Sequence, residues 1–297
     1  MERAELLKKY PWMGITTKLE DYLEPGYYDR ILREYVFAGK YDLEFLKDAA
    51  VRLKGDVKAL ELGPGTGRAT DAFLRASGKV KQLTLVDLSQ RMLESCRARF
   101  TNRGFISYVN SDSIDFLLAD DGTYDFAYSL WSFSHSVHQN LQRLGLSDGR
   151  AKVRRAINKL LTENLTPGGS FFLIHFDSLS DEQRISIRQR SRDITIFENL
   201  EVQSPSKRLM DDLLQELKAS GKVSFECRHY VGAPIRFPTP DTALEYYLNF
   251  HMELHFNESP KLPEIVEELE ADIRKYQAED GSVSIKPGCF IYSITRI

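Results

Sequence analysis

The stretch VKALELGPGTGRATDAFL, residues 57–74, decides the fold. An apolar run ends at Glu61, and three glycines, Gly63, Gly65 and Gly67, lead into a segment with helical periodicity. A strand, a glycine-rich turn and a helix in this order are typical of a parallel sheet in which bare backbone approaches a ligand. The stretch therefore predicts a ligand-binding loop at the carboxyl end of a buried strand.

Strand and helix patterns alternate on both sides of this loop. Short apolar runs bounded by turn residues are separated by segments with helical spacing, which predicts an α/β fold with a parallel sheet covered on both faces. We predict strands at 57–62, 82–87, 105–109, 124–129, 170–175, 223–231 and 289–297, and helices near 68–77, 89–100, 113–119 and 148–164.

Two familiar nucleotide-binding loops fit the glycine-rich stretch poorly. A P-loop needs Lys and then Ser or Thr after its last glycine, whereas Arg68 and Ala69 follow Gly67. A dinucleotide-binding GxGxxG turn needs its third glycine where Arg68 stands, which weakens that interpretation. An acid followed by GxGxG remains, and it resembles motif I of the class I S-adenosylmethionine (SAM)-dependent methyltransferases.

Further segments resemble the same family in order and spacing. The resemblance implies that Asp87, at the end of the second strand, accepts hydrogen bonds from both ribose hydroxyls. In NSDSIDF, it implies that Asp112 binds the adenine amino group and that Ser113 offers a backbone N–H. YDFAYSLWSFSH, residues 124–135, resembles motif IV, and LLTENLTPGGSFFLI, residues 160–174, resembles the turn before the fifth strand.

The resemblance implies a Rossmann-like class I methyltransferase fold with a seven-stranded, mostly parallel sheet and helices on both faces. We expect an N-terminal helical cap at 1–50 and a SAM-binding domain at 51–297, with a helical lid insertion at about 232–280 before the last strand. SAM is the expected cofactor. The predicted cofactor-binding residues are Tyr28, Glu61, Gly63, Gly65, Gly67, Asp87, Leu88, Asp112, Ser113 and Ser129.

Plainer roles remain open for several of these residues. Asp87 stands where a helix begins, with Ser89 as a candidate N-cap. Asp112 and Asp115 are also typical of solvated turn acids, and the glycines alone are compatible with a turn that binds nothing. The motifs gain their weight from occurring together and in register.

The segment before the last strand carries a stripe of aromatic residues. Tyr246, Tyr247, Phe250 and Phe256 recur with His251 and His255 at helical spacings. Two interpretations stay open: the stripe packs into the core, or it forms a lid whose rings face a cationic amine or the sulfonium. The N-terminal segment EPGYYDRILREYVF, residues 24–37, allows the same choice. Helices between the last two strands resemble the layout of small-molecule N-methyltransferases of the histamine methyltransferase type.

Methyl transfer needs alignment more than acid or base groups, because the sulfonium is already a good leaving group. An ammonium or phenol acceptor still has to lose a proton, and after the fourth strand only the two histidines of SFSHSVHQN ordinarily titrate near neutrality. His135 is the predicted base, with Tyr28 as a second predicted catalytic residue; a loop histidine with a purely structural role stays open. The predicted substrate contacts are Trp131, His138, Asn140, Tyr246, Tyr247 and Phe250.

Composition excludes several function classes. A formal net charge of −3 lacks the basic surface that nucleic acid binding requires. No apolar run is long enough for a membrane span. Cys96, Cys227 and Cys289 are far apart and lack metal-ligand spacing, so we expect no metal. We expect a cytoplasmic protein, monomeric or homodimeric, with a small-molecule partner and neither nucleic acid nor membrane partners.

The sequence thus predicts a SAM-dependent methyltransferase that methylates N, O or C of a small-molecule metabolite. One alternative keeps the cofactor and changes the chemistry, as in enzymes that consume SAM to form azetidine-2-carboxylate and methylthioadenosine. A second is a nucleotide-binding oxidoreductase or a silent SAM-binding module. No DPPY or NPPY motif follows the fourth strand, which disfavours methylation of adenine, glutamine or DNA amines.

Overall fold

The computed structural model describes residues 3–10, 29, 31–191, 196, 199–250 and 261–297. Eleven strands are present in these ranges: β1 Val36–Phe37, β2 Lys40–Tyr41, β3 Val57–Leu62, β4 Val80–Asp87, β5 Ile106–Asn110, β6 Tyr124–Leu130, β7 Leu165–Phe176, β8 Val223–Val231, β9 Ile235–Phe237, β10 Val283–Ile285 and β11 Gly288–Arg296. The α-helices of the described part are Arg3–Lys9, Asp42–Ala50, Arg68–Ser77, Gln90–Arg99, Ser113–Ala119, Phe133–Lys159, Asp181–Arg190, Pro205–Ala219, Pro240–Phe250 and Leu262–Arg274.

Seven strands form the central sheet in the order β5, β4, β3, β6, β7, β11, β8. The first five are parallel to one another, whereas β11 runs antiparallel to both β7 and β8. The predicted seven-stranded, mostly parallel sheet is therefore confirmed. Since all the parallel strands point the same way, their carboxyl ends meet at one edge, where ligands bind in such sheets.

The sheet separates two hydrophobic layers. Side chains of β7 alternate between them, as the pleat requires: Phe171 and Leu173 face one layer, and Phe172 and Ile174 face the other. The first layer contains helices Ser113–Ala119, Phe133–Lys159 and Pro205–Ala219, and the second contains the N-terminal segment, the helices near the glycine-rich loop and the insertion before β11. Both faces of the central strands are thus buried, which explains their nearly continuous apolar sequences.

One helix is longer than the sequence predicts. The helix predicted at 148–164 is the second half of Phe133–Lys159, which continues through a kink at Gly145 (φ 79°). Its first half buries Phe133, Val137 and Leu141, each four residues from the next, against the sheet. His135 and His138 therefore lie on a helix, and of the two possibilities left open for His135, a position in a loop does not apply.

The N-terminal segment and the insertion pack against each other. Lys9 Nζ lies 3.1 Å from Glu270 Oε2, and the Tyr10 hydroxyl lies 3.2 Å from the same oxygen. Ala233 N–H donates to the Val36 carbonyl at 2.8 Å, and Phe37 pairs with Gly232. The division at residue 50 stays a prediction, but these contacts join the two predicted lid segments. Within the described ranges, no helix has the length and apolar character that a membrane crossing requires.

Candidate active site

The glycine-rich loop joins β3 to the helix Arg68–Ser77. Gly63, Gly65 and Gly67 have φ of 75°, 55° and 82°, the left-handed region that side chains with a Cβ adopt only at a cost. Gly63 N–H donates to the Val86 carbonyl at 2.8 Å, which holds the loop against β4. The loop is thus fixed at the carboxyl end of β3, as the sequence predicts.

The three glycines are required for different reasons. A Cβ on Gly63 would lie 1.9 Å from Ser132 Oγ, and one on Gly67 would lie 2.6 Å from the Phe100 ring. These two positions pack against protein. A Cβ on Gly65 would meet no atom within 4 Å, so this backbone faces open space. Gly65 therefore fits a bound cofactor that bare backbone approaches closely, which is the role of the loop in SAM binding.

Asp87 lies beside this exposed backbone. Its Oδ2 accepts the Gly65 N–H at 3.0 Å, and its Oδ1 accepts the Ser89 N–H at 2.9 Å. Burial raises the pKa of Asp87, and the two N–H donors partly offset the rise. The Ser89 hydroxyl, 3.3 Å from Met92 N, caps the following helix. The carboxylate is thus held against the loop, next to the half-exposed Leu88, and its ribose-binding role stays a prediction.

Asp112 begins the helix Ser113–Ala119 as its N-cap. Its Oδ1 accepts the N–H groups of Ile114 and Asp115 at 2.9 and 3.1 Å, and Asn140 Nδ2 donates to the same oxygen at 3.0 Å. Asp112 is thus a helix cap, a role that was not predicted from the sequence, and these bonds leave its Oδ2 unused. Ser113 is buried as the first helical residue. The predicted adenine contacts of both residues stay predictions.

Asn140 lies next to Asp112, to which its Nδ2 donates. It is 1% exposed, and its Oδ1 accepts hydrogen bonds from Arg143 and Lys152 at 3.0 and 2.9 Å. Lys152 also forms an ion pair with Asp115. These contacts suit a residue that orients Asp112, and the substrate role of Asn140 stays a prediction.

Glu61 and Ser129 lie beneath the loop. Glu61 Oε2 accepts the hydroxyls of Thr70 and Tyr128 at 2.6 and 2.7 Å. Burial raises the pKa of Glu61 from 4.5 to about 7, and these two hydrogen bonds limit the rise. The Ser129 hydroxyl donates to the Leu62 carbonyl at 2.6 Å and so ties β6 to β3. Both residues support the loop, and their direct cofactor contacts stay predictions.

The raised pKa of Glu61 makes the stability of the protein depend on pH. Between pH 4.5 and about 7 the unfolded chain releases this proton while the folded protein keeps it. The free energy of unfolding should therefore fall as the pH rises through this window, by about 3 kcal/mol in total. Glu61→Gln should remove the fall, so that the variant is more stable than the parent above pH 7.

Denaturant unfolding from pH 4 to 8 measures this difference. The control is Glu163→Gln, which replaces an exposed glutamate and should follow the parent curve. Curves of Glu61→Gln and parent that run parallel over the whole range contradict the assignment of this buried proton.

An aromatic wall lies at the carboxyl ends of β6 and β7, formed by Tyr35, Phe37, Trp131 and Phe176. The ring of Trp131 lies 5.3, 5.9 and 4.8 Å from those of Tyr35, Phe37 and Phe176, centroid to centroid. The His135 ring meets Phe176 edge-on at 5.8 Å. Two predicted residues, His135 and Trp131, are thus brought together at the sheet edge that carries the loop, and His138 lies one turn further along the same helix.

The predicted lid aromatics are packed inside the protein. Tyr246 and Tyr247, on helix Pro240–Phe250, are 7% and 0% exposed and belong to the core. The hydroxyls of Tyr246 and Tyr35 donate to the same oxygen, Glu182 Oε1, at 2.7 and 2.6 Å. Core packing therefore describes these two residues, and their contact with substrate stays a prediction. Tyr27, Tyr28, His251, His255, Phe256 and the Phe250 side chain lie outside the described residues.

Sequence reasoning missed two buried acids near the wall. Asp42 is fully buried and binds Arg68 through both carboxylate oxygens, while the Trp131 indole N–H donates to Oδ2 at 2.8 Å. Arg68 occupies the position at which a dinucleotide-binding loop has its third glycine. In this structure its side chain forms an ion pair with Asp42. Glu182 is the second acid. Within the described part of the chain, no three His, Cys, Asp or Glu side chains gather as metal ligands.

Comparison with known proteins adds a domain match and a fold match. Residues 59–147 match a family model described as a methyltransferase domain. No curated protein matches the chain in sequence. A provisionally assigned methyltransferase of Bacillus halodurans is 17% identical with a TM-score of 0.51, covering 86% of this chain and 98% of its own. The YcgJ protein of Bacillus subtilis is 16% identical with a TM-score of 0.51 and the same two coverages, 86% and 98%.

At these identities the two solved structures establish the fold, and the domain match identifies residues 59–147 as a methyltransferase domain. The matched residues run from β3 into helix Phe133–Lys159 and include the glycine-rich loop, Asp87 and Asp112. The exposed Gly65 backbone beside Asp87 fits the cofactor that this domain uses. Residues 59–147 thus form a methyltransferase domain, and the chain has the Rossmann-like fold that is consistent with the class I SAM-dependent methyltransferases.

Proposed function

We propose that the protein methylates a nitrogen, oxygen or carbon atom of a small-molecule metabolite. The observation that supports this proposal is the junction of the N-terminal segment with the insertion: Ala233 N–H bonds to the Val36 carbonyl at 2.8 Å, and Tyr35 and Phe37 pack on Trp131. Two segments of the chain thus cover the carboxyl ends of β6 and β7. A site covered in this way suits a compact acceptor better than a polymer.

The residues divide into a cofactor side and an acceptor side. SAM, when bound, supplies an electrophilic methyl group on a sulfonium. Asp87 and the Gly65 backbone hold its ribose and methionine parts, and Asp112 and Ser113 its adenine. The aromatic wall excludes water. Trp131 and Phe176, the two wall residues that are not completely buried, are the ones that can offer a ring face to a cation, each contact stabilising by about 0.5–2 kcal/mol when desolvated. Alignment of the two sides accounts for most of the catalysis.

His135 is the residue that we assign to proton removal from an ammonium or phenol acceptor. It lies on the helix that follows Trp131, and its ring contacts Phe176 of the aromatic wall. A base at this place receives the proton on the acceptor side. The cytoplasmic location, the monomeric or dimeric state and the absence of nucleic acid and membrane partners stay predictions.

Product analysis tests the proposal. The purified protein is incubated with SAM alone and then with pooled amines, amino acids and phenols, and the sulfur products are separated by mass spectrometry. Attack on the methyl carbon releases S-adenosylhomocysteine (SAH), whereas attack within the carbon chain of SAM releases methylthioadenosine. We expect SAH, and only when an acceptor is present. His135→Gln should form the same product at least about 100-fold more slowly if the acceptor is an ammonium or phenol.

Methylthioadenosine formed without any acceptor, above the rate of spontaneous breakdown, contradicts the proposal. That product would identify an enzyme that consumes SAM itself, such as one that forms azetidine-2-carboxylate. The fold and the cofactor would stand in that case, and His135 would lose its role as acceptor base.

A further inference from the structure

Asp42, the first residue of helix Asp42–Ala50, connects two segments that are far apart in sequence. Its Oδ1 accepts Arg68 Nη1 at 2.9 Å and the Leu43 N–H at 2.8 Å. Its Oδ2 accepts Arg68 Nη2 and, at 2.8 Å, the Trp131 indole N–H. The Asp42 side chain is completely buried, and that of Arg68 is 14% exposed. One buried carboxylate therefore holds both an arginine fork and an indole.

Arg68 connects Asp42 to the cofactor loop. It directly follows Gly67 and is the first residue of helix Arg68–Ser77, so its backbone forms the end of the glycine-rich loop. A two-pronged ion pair fixes the guanidinium in position and direction. The loop is thus held from one side by β4, through Gly63 and Val86, and from the other by Asp42.

Trp131 connects Asp42 to the acceptor side of the site, because its indole N–H donates to the Asp42 carboxylate. Its φ of 66° lies in the left-handed region, which is uncommon for a bulky residue and persists only when surrounding contacts impose it. Two kinds of contact do so: the indole N–H bond to Asp42, and the rings of Tyr35 and Phe176 on either side. The unusual backbone directs the indole into the aromatic wall.

We propose that Asp42 is a positioning residue that couples the cofactor loop to the aromatic wall. Because Arg68 and Trp131 share Oδ2, loss of the carboxylate charge releases the end of the loop and the indole together. Occupancy of the cofactor site and the orientation of Trp131 are therefore linked. This inference rests on the proposed function only in taking the aromatic wall as the acceptor side.

Tryptophan fluorescence tests the coupling without any acceptor. The chain has two tryptophans, so Trp12→Phe leaves Trp131 as the sole emitter. In this background, Asp42→Asn should weaken SAH binding about tenfold, a usual size for coupling between linked sites. It should also increase the quenching of Trp131 by acrylamide at least about twofold, since the parent indole is 6% exposed. The matched control is Asp48→Asn on the same helix as Asp42, which breaks an exposed ion pair with Lys40 of β2 and should change neither quantity.

A double variant distinguishes a positioning role of Asp42 from a role in stability alone. Asp42→Leu with Arg68→Met removes both buried charges, so it should regain most of the melting temperature lost in Asp42→Asn. The Trp131 N–H still lacks its acceptor, and we expect strong acrylamide quenching and weak SAH binding to persist.

The proposal is overturned if the double variant shows the acrylamide quenching of Trp131 and the SAH affinity of the parent. It is also overturned if Asp42→Asn shows the parent's values for both quantities. If Asp42→Asn does not fold, the double variant decides alone. A parent protein that binds SAH but transfers no methyl group would refute the proposed function and leave this coupling intact.

Discussion

Asp87→Ala should abolish the rise in melting temperature that SAM or SAH causes in the parent protein. Asp87 is held against the exposed Gly65 backbone with both oxygens oriented by N–H donors. Hydrogen bonds to a charged group contribute about 1.5–3 kcal/mol each, so losing those to two ribose hydroxyls should weaken binding at least about 100-fold. Thermal shift titrations with SAM and SAH measure the loss, and NAD and ATP should cause no shift in the parent.

Asp115→Ala is the matched control for this experiment. Asp115 is 45% exposed and forms ion pairs with Lys152 and Arg143, the latter at 3.5 Å. These pairs lower the pKa of its carboxyl group, with the hydrogen bond from Lys152 as the main cause. The variant should keep most of the ligand-induced shift. If both variants bind SAH like the parent, Asp87 is not the ribose-binding acid.

Gly63→Ala should destabilise the protein by about 4 kcal/mol. The new Cβ would lie 1.9 Å from Ser132 Oγ and 2.3 Å from Ser132 Cβ, at a φ of 75°. Overpacking costs about 1–3 kcal/mol, and the left-handed backbone about 1–2 kcal/mol more. Urea unfolding measures the change. The size of this effect follows from a contact between the loop and the start of helix Phe133–Lys159, which sequence spacing does not reveal.

Two further variants measure separately the overpacking and the backbone strain that destabilise Gly63→Ala. Adding Ser132→Gly removes both clashing atoms and leaves no atom closer than the Ser132 Cα at 3.8 Å, so the double variant should recover the packing part. Gly65→Ala has the same backbone cost and no clash, so it should lose only about 1–2 kcal/mol of stability while its Cβ obstructs SAH binding. A Gly63→Ala variant no less stable than Gly65→Ala contradicts the packing argument.

The fold was predictable because its signals are local. Each central strand is an apolar run bounded by turn residues, and β3 begins and ends at the predicted residues. The start of β7 was predicted less accurately, because a turn signal lies within the strand. The strand was predicted to begin at residue 170, after Pro167 and the glycine pair, whereas β7 begins at Leu165. The helix that carries His135 was missed for a similar reason, because Gly145 interrupts its periodicity and hides that the two halves are continuous.

The cofactor loop was predictable for the same reason, since its glycines, Glu61 and Asp87 follow the ends of strands. The acceptor side was not, because its contacts are distant in sequence: Asp42 meets Trp131 across 89 positions, and Tyr35 meets Glu182 across 147. No periodicity links such residues. A buried acid is also hard to recognise from sequence, because the desolvation penalty of its carboxylate must be offset by a partner that the sequence does not identify.

The position of β11 determines when the sheet can be completed. Strand β11 lies between β7 and β8, yet it follows both in the chain, and β8 pairs with no other strand of the described sheet. During synthesis, at about 5–20 residues per second, the edges of β7 and β8 therefore stay unpaired until β11 has left the ribosome. Unpaired edges are templates for association with other chains. Closure of this half of the sheet therefore waits for β11, and until then the edges of β7 and β8 that β11 will cover are open to pairing with other chains.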